Sequence, residues 1–231
     1  MRPDPNDWTV VVTGGSSGLG AAVASRLTAV GACPVVLDRK PPAVGLAYEL
    51  VDLADSKDTE EAVRRVADAR GGLDAVVACA GIDVPGALAD VPTETWERIV
   101  AVNLFGTAAV VRAALPWLEA GGGRVVTVAS TLGHNAVGDA TAYCASKFGV
   151  VGFTRALTAE LRDRVGVTLL TPGGMHTAFF DEREERYRPA ADARLCQPAD
   201  VAAAVVFALS QPPGCDIKEL VVAAPSESSW P

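Results

Sequence analysis

What the sequence lacks narrows its class before any motif is read. No Cys-x-x-Cys pair occurs, and the five cysteines, Cys33, Cys79, Cys144, Cys196 and Cys215, are odd in number and widely spaced. That pattern argues against a disulfide framework and a structural zinc site and points to a reduced, cytoplasmic protein. Histidine is scarce: His134 and His176 stand alone, without a neighbouring carboxylate cluster, so no metal site is expected. No apolar stretch of about 18 residues runs free of charge or turn signals, so no membrane span is expected. Met1–Asp7 lacks the cationic-then-apolar pattern of an export signal. Basic excess is also missing. A net charge of -8 and a pI near 4.8 disfavour nucleic-acid phosphates and anionic membranes as partners. Internal repeats, low-complexity blocks and linkers are absent, which leaves one domain spanning 1–231.

What is present is an ordinary globular balance, 49% hydrophobic and 21% charged. Heavy use of Ala, Val, Arg and Gly fits a GC-rich bacterial genome. Short apolar runs alternate with helical patterns along the chain. Strands are expected at Trp8–Thr13, Pro34–Asp38, Tyr48–Asp52, Asp74–Cys79, Arg124–Ala129, Val167–Thr171 and Lys218–Ala223. Helices are expected at Leu19–Val30, Ser56–Arg70, Thr95–Glu119 with a bend near Pro116, Thr141–Arg164 and Pro198–Ser210. Strands apolar on both faces and separated by helices imply an α/β fold. Its expected form is a doubly wound, seven-stranded parallel sheet with helices on both faces.

Thr13-Gly-Gly-Ser-Ser-Gly-Leu-Gly20 lies between the first strand and the first helix. Gly14 permits a tight turn, Gly18 a close backbone approach to a pyrophosphate, and Gly20 close packing of helix on strand. The helix N-terminus adds free N–H groups and a positive dipole. Gly14, Ser16, Ser17, Gly18, Leu19 and Gly20 are therefore candidate dinucleotide-binding residues. Asp38 ends the second strand and either accepts both ribose hydroxyls of adenosine, repelling a 2′-phosphate, or is a plain turn residue. NAD is expected over NADP on that ground, although Arg39 beside it offers a guanidinium that can turn toward a phosphate. Asp52 ends the third strand and either accepts from the adenine amino group or is a solvated loop carboxylate.

Tyr143 and Lys147 sit one helical turn apart on one face. A phenol beside a fixed cation is a usable general acid/base, because the positive charge favours phenolate. Together with Asn103 in the long helix, Ser130 after the fifth strand, Pro172-Gly173 and Thr177, these motifs resemble the short-chain dehydrogenases/reductases over nearly the whole chain. The resemblance implies a Rossmann-like oxidoreductase. It would move a hydride between a nicotinamide cofactor and a secondary alcohol or ketone (EC 1.1.1.-, a ketoreductase in the reducing direction). It assigns proton transfer to Tyr143, substrate orientation to Ser130, phenol activation and ribose binding to Lys147, and a water relay to Asn103. It adds Leu53, Ala80, Gly81, Pro172, Gly173 and Thr177 to the cofactor set. One departure stands out: Cys79 replaces the amide usual in Asn-Ala-Gly, and either weakens the sheet or packs as a small hydrophobe.

His134, Asn135, Met175, His176 and Phe179 are the expected substrate-side residues, under a short lid at about 178–196. Asp181–Arg188 in that lid is a mixed charge run. It reads as a solvated helix with ion pairs one turn apart, or as a source of arginines (Arg183, Arg186, Arg188) for a polar or anionic substrate. The alternative function is a catalytically silent dinucleotide-binding sensor. A sugar-nucleotide epimerase would need a larger C-terminal region, and an enoyl reductase a wider Tyr–Lys spacing. The resemblance also implies a homodimer or homotetramer through the helices at 95–119 and 141–164.

Overall fold

In the computed structural model, residues 5–42 and 45–230 are described. Met1–Asp4 of the N-terminal segment and Pro231 of the tail lie outside them. Seven strands, Thr9–Thr13 (β1), Cys33–Asp38 (β2), Ala47–Leu50 (β3), Ala75–Ala78 (β4), Arg124–Val128 (β5), Gly166–Pro172 (β6) and Glu219–Val222 (β7), form one sheet. Its order is β3-β2-β1-β4-β5-β6-β7, and every pair is parallel. Helices Gly18–Ala29 (α1), Ser56–Arg70 (α2), Thr93–Val100 (α3), Thr107–Gly121 (α4), Thr141–Leu161 (α5) and Pro198–Leu209 (α6) cover it.

The period of two along each strand divides the core between the faces. Val11, Val35, Val76, Val125 and Val167 pack with Ala62, Val66, Val110, Leu118 and Leu157 from α2, α4 and α5. Val10, Val12, Ala75, Val77, Val126 and Val128 pack with Val23 and Leu27 of α1 and with Val201, Val205 and Leu209 of α6. A one-residue slip of any central strand would exchange these two sets, so the register is strongly specified.

Helix ends follow local chemistry. Asp55 caps α2, its carboxylate accepting from the Lys57 and Asp58 amides at 2.9 and 3.0 Å. Gly71 ends that helix at φ +72°, and Gly122 ends α4 at φ +60°. Thr93–Gly121 is one continuous helix, long and apolar enough by length and composition to cross a membrane. The sequence reading did not anticipate that, yet 56% of its apolar window is buried inside the protein, which makes it a core helix here. Pro116 lies within α4 without ending it. A widened, π-helical turn at Ala101–Gly106, which no sequence signal announced, interrupts the helix instead.

The strand order reverses between β1 and β4. The chain moves from β1 out to β3 on one side and returns to β4 on the other. The loops leaving β1 and β4 therefore diverge at their carboxyl ends and open a crevice there.

Candidate active site

The crevice is walled by the turn after β1. Gly14 sits at φ +66° and Gly18 at φ +51°, a region that side-chain-bearing residues avoid. A Cβ on Gly14 would lie 2.8 Å from the Ala80 Cα, so this turn packs directly on the loop after β4. A Cβ on Gly20 would lie 2.6 Å from the Gly14 carbonyl carbon, so α1 starts in contact with the turn. Ser17 precedes α1 without capping it through its side chain, and Leu19 is buried in the core. Thr177 stands across from Gly18, its methyl 3.5 Å from where a Cβ would be. The loops after β1 and β6 thus face each other across a narrow groove at the start of α1.

Asp38 braces the turn from the side. Its Oδ2 accepts from the Ser16 amide at 3.1 Å and its Oδ1 from the Lys40 amide at 3.2 Å, while Ser16 Oγ donates to the Lys40 carbonyl at 2.5 Å. Arg39 is exposed, and its charge acts on Asp52. Asp52 is a 41% exposed carboxylate held in an ion pair. Arg98 of α3 donates to both its oxygens, at 3.1 and 2.8 Å, and the Ala54 amide to one. Burial opposes ionisation there, but the Arg98 bonds and the Ala54 amide hold the carboxyl below the usual range. Leu53 is buried beside Gly106, where an added Cβ would lie 2.7 Å from the Leu53 carbonyl oxygen.

After β4, the Ala80 amide donates to Thr13 Oγ1 at 3.1 Å. Gly81 faces the Lys147 ammonium, 3.3 Å from its would-be Cβ, and Asn103 Oδ1 at 3.6 Å. Asn103 is fully buried in the widened turn. It clasps the Ile82 backbone, accepting from its amide at 2.8 Å and donating to its carbonyl at 3.0 Å, and donates to Ser146 Oγ at 3.0 Å. Ser146 in turn donates to the Tyr143 carbonyl at 2.7 Å. This chain fixes α5 against the loop after β4. The sequence reading missed Ser146, although it lies three residues from Tyr143, on the inward face of an amphipathic helix.

Tyr143 and Lys147 do meet on α5, with the Lys147 Nζ 5.7 Å from the Tyr143 ring centre. Lys147 is buried, and its ammonium donates to the Val128 carbonyl at 2.9 Å. Burial lowers its pKa to about 8, with Cys79 pulling the other way. Burial pushes the Tyr143 phenol up to about 12. The Ser130 hydroxyl opposes that rise by hydrogen bonding, Asp83 adds to it and Arg183 subtracts from it. In the resting site desolvation sets the acidity of the phenol, and the ammonium donates to the Val128 carbonyl. Ser130 Oγ also accepts from the Leu132 amide at 3.1 Å. Cys79 packs against the core on the α1 side, and burial raises its thiol to about 12, so it behaves as a small hydrophobe.

On the far side of Tyr143 the expected substrate residues separate. Phe179 comes within 5.9 Å of the Tyr143 ring, centre to centre. His134 shares a hydrogen bond with Thr171 Oγ1 at 3.1 Å and meets the Trp230 ring edge-on at 5.2 Å. Burial, helped by the Arg155 charge, lowers its pKa. Asn135 and His176 are exposed, and Met175 pairs with Cys196 in an isolated parallel bridge. A cavity of about 480 Å³ is lined by Met175, His176, Thr177, Phe180, Arg188 and Leu195, and Tyr143 is not in its lining.

Asp181–Arg188 is not a helix with ion pairs one turn apart. It follows a short turn at Ala178–Phe180 and holds another at Glu185–Tyr187, and Arg188 folds back onto the carbonyls of Asp181 and Arg183 at 2.8 and 2.7 Å. Arg186 pairs with exposed Glu184, whereas Arg183 turns inward to Asp83 at 2.8 Å. The C-terminal tail also went unread. Glu227 accepts from the Gly174 amide at 2.9 Å beside Pro172-Gly173, and Ser229 donates to Thr131 Oγ1 at 2.7 Å. Trp230 packs edge-on against His134 of the same chain.

Comparison with known proteins bears on this geometry. Residues 8–188 match the family described as short chain dehydrogenase. An uncharacterised oxidoreductase of Staphylococcus aureus strain MW2 is 32% identical over 228 residues, covering 94% of this chain and 96% of that protein. One from Staphylococcus saprophyticus is 29% identical over 231 residues, with 94% and 97% covered. The ligand-free aldohexose dehydrogenase of Thermoplasma acidophilum superposes with a TM-score of 0.87 at 23% identity, covering 96% of this chain and 94% of that one. An alcohol dehydrogenase from the archaeon Thermococcus sibiricus, complexed with 5-hydroxy-NADP, gives 0.85 at 24% identity, with 95% and 97% covered. At those identities the two structures speak for the fold alone. The match to the family over most of the chain is decisive: this protein is an oxidoreductase belonging to the short-chain dehydrogenase family.

Proposed function

We propose that this protein interconverts a secondary alcohol and a ketone with a nicotinamide cofactor, NAD in preference to NADP, and that Tyr143 carries the proton. The observation that carries the reading is convergence. A glycine turn, a buried lysine and a tyrosine from β1, the β4 loop and α5 meet at the point where the strand order reverses. The residues fit a dinucleotide. Gly18 leaves the groove open opposite Thr177, no side chain caps the first amides of α1, and Asp38 sits beside the turn, in no ion pair among the described residues. Gly14, Ser16, Ser17, Gly18, Gly20 and Thr177 would hold the phosphates, Asp38 the adenosine ribose, and Lys147 with Gly81 the second ribose. Pro172 and Gly173 would wall the ring.

The bound nicotinamide supplies or takes the hydride. The protein's part is placement and the proton. In reduction, the Tyr143 Oη–H donates to the carbonyl oxygen and then gives up its proton to it. Ser130 Oγ holds the same oxygen, which fixes the distance to Tyr143. A phenol held near 12 by burial is a poor acid in isolation, so its proton leaves as negative charge collects on the substrate oxygen. The Lys147 ammonium, charged below about pH 8, then stabilises the phenolate. Asn103 positions the Ile82 backbone and, through Ser146, the turn of α5 that bears Tyr143. The segment 178–196, with Phe179 against Tyr143, would act as the lid that excludes water.

The test is NADH formation from a panel of secondary alcohols. Tyr143→Phe should lose at least about a hundredfold in kcat while its NADH affinity stays within about twofold. A Phe variant as fast as the wild type would remove Tyr143 from the chemistry.

A further inference from the structure

After β7 the chain turns back over the site. The Glu227 amide donates to the Ala224 carbonyl at 3.0 Å, and the turn this closes brings the tail to the loops that leave β6 and β5. Glu227 is the meeting point. Its Oε2 accepts from the Gly174 amide at 2.9 Å and lies 2.6 Å from where a Cβ on Gly173 would stand. Its Oε1 accepts from the Ser229 amide at 3.2 Å and from the Ser229 hydroxyl at 2.6 Å. Ser229 Oγ is also 2.7 Å from Oγ1 of Thr131, a buried residue next to Ser130. Trp230 then packs on His134 of the same loop. The tail therefore has a fixed footing on the loop after β5 and reaches from it to the loop after β6.

A carboxylate is a costly group with which merely to fasten a tail. Glu227 forms no ion pair among the described residues. Burial opposes its ionisation, but the Ser229 hydroxyl and the Gly174 and Ser229 amides hold the carboxyl below its ordinary range. The charge is thus held by three donors alone, which makes those bonds short in reach and strict in direction. What they fix is Gly174. Its carbonyl accepts from the Cys196 amide at 2.9 Å, so both of its backbone groups are taken, one by the base of the segment 178–196 and one by the tail. Gly173 and Gly174 have no side chains with which to anchor this loop, so the anchor must come from outside it. From there the loop runs on to Thr177, which faces Gly18 across the groove.

Resting on the nicotinamide reading above, we propose that Glu227 is a positioning residue, which holds the loop Pro172–Thr177 in place as the wall of the nicotinamide ring. It touches neither substrate nor reacting atoms. Without it the loop samples other positions, and the share of molecules ready to receive the ring falls with it. The adenosine end of the cofactor, held by the turn after β1 and Asp38, is out of its reach.

The test exploits that division. Binding of NADH and of ADP-ribose, which keeps the adenosine and both phosphates but lacks the ring, is measured by calorimetry for the wild type, Glu227→Ala and Glu227→Gln. Glu227→Ala should bind NADH at least about fivefold more weakly, the worth of a lost hydrogen bond to a charged acceptor, and ADP-ribose within about twofold of the wild type. Glu227→Gln keeps one oxygen for the Gly174 amide and should lie between the two. Circular dichroism checks folding. If Glu227→Ala does not fold, Glu227→Gln decides by the same comparison, with a selective NADH loss of at least about twofold expected. An equal loss of both ligands, no loss of NADH in the folded variant, or failure of both variants to fold would overturn the positioning role. Wild-type binding of NADH would then leave the nicotinamide reading standing. Should the wild type take only NADPH, the same comparison runs with NADPH against 2′-phospho-ADP-ribose. A wild type that binds neither NADH nor NADPH would overturn both.

Discussion

Lys147→Met should make the protein more stable and inactive, and the size and pH dependence of the gain follow from the site. The Lys147 ammonium is buried and titrates near 8 instead of 10.5. That difference corresponds to about 3 kcal/mol of unfavourable charge burial. Methionine keeps the stem but forfeits the 2.9 Å bond to the Val128 carbonyl, a loss of about 1 kcal/mol. The net gain is about 2 kcal/mol at pH 6.5, or roughly 4–8 °C in Tm for a chain of this size. The sign check fixes the window. Below about pH 8 the lysine is charged in both folded and unfolded states and the full burial cost applies. Between 8 and 10.5 only the unfolded state keeps the proton, so the wild type gains stability relative to the variant as pH rises. By pH 9.5 about 2 kcal/mol of the cost is gone and the two proteins should be equal. Cys79 and Tyr143 titrate near 12, above both pH values, and losing the Lys147 charge only pushes Cys79 further up, so they drop out of the difference. Urea denaturation at pH 6.5 and 9.5 measures it. A variant less stable than the wild type at pH 6.5, or a gain undiminished at 9.5, would refute the reasoning.

Two further predictions concern the turn and the assembly. Gly20→Ala would drive a methyl into the Gly14 carbonyl, so it should destabilise the fold by about 1–3 kcal/mol and abolish the thermal shift produced by NADH; a folded variant with full NADH response would show that the turn is not the phosphate site. Phe105 and Phe148 are 55% and 44% exposed on the widened turn and α5, large rings that a single chain leaves wet. We expect a dimer or tetramer that buries them, so light scattering at micromolar concentration should give at least twice the chain mass, and the double change Phe105→Glu/Phe148→Glu should give a monomer.

Local rules made most of the fold legible. β-branched runs such as Val10-Val11-Val12 fixed the strands, glycines at Gly31, Gly71 and Gly122 closed the helices, and the alternation of strand and helix implied a parallel sheet. Strand and helix ends moved by only a few residues, the usual scope of fraying. The site was legible where its residues are close in sequence, as in Thr13–Gly20 and Tyr143–Lys147. It was illegible where contacts join distant segments. Asp83 read as an unremarked loop residue and Arg183 as either part of a solvated charge run or a substrate contact, because nothing local distinguishes an arginine that will turn inward. Glu227 and Ser229 belong to a polar tail whose value lies in reaching Gly174 and Thr131. The widened turn at Ala101–Gly106 likewise follows from packing, with Asn103 drawn to the Ile82 backbone and Gly106 pressed on Leu53. The burial of Tyr143 and Lys147 was illegible for a related reason. Spacing reports that a cation is one turn away, but not that both groups are desolvated and the cation engaged elsewhere.

The measurement that bears most directly on the central claim is nicotinamide selection, by thermal shift with NAD, NADH, NADP and NADPH side by side, for the wild type and Asp38→Ala. The account predicts that NAD and NADH stabilise the wild type, by about 2.7 kcal/mol at a hundred times Kd, that the phosphorylated pair do so far less, and that Asp38→Ala erases the difference. Equal or stronger stabilisation by NADPH would contradict the assignment of Asp38, and no response to any of the four would contradict the account as a whole.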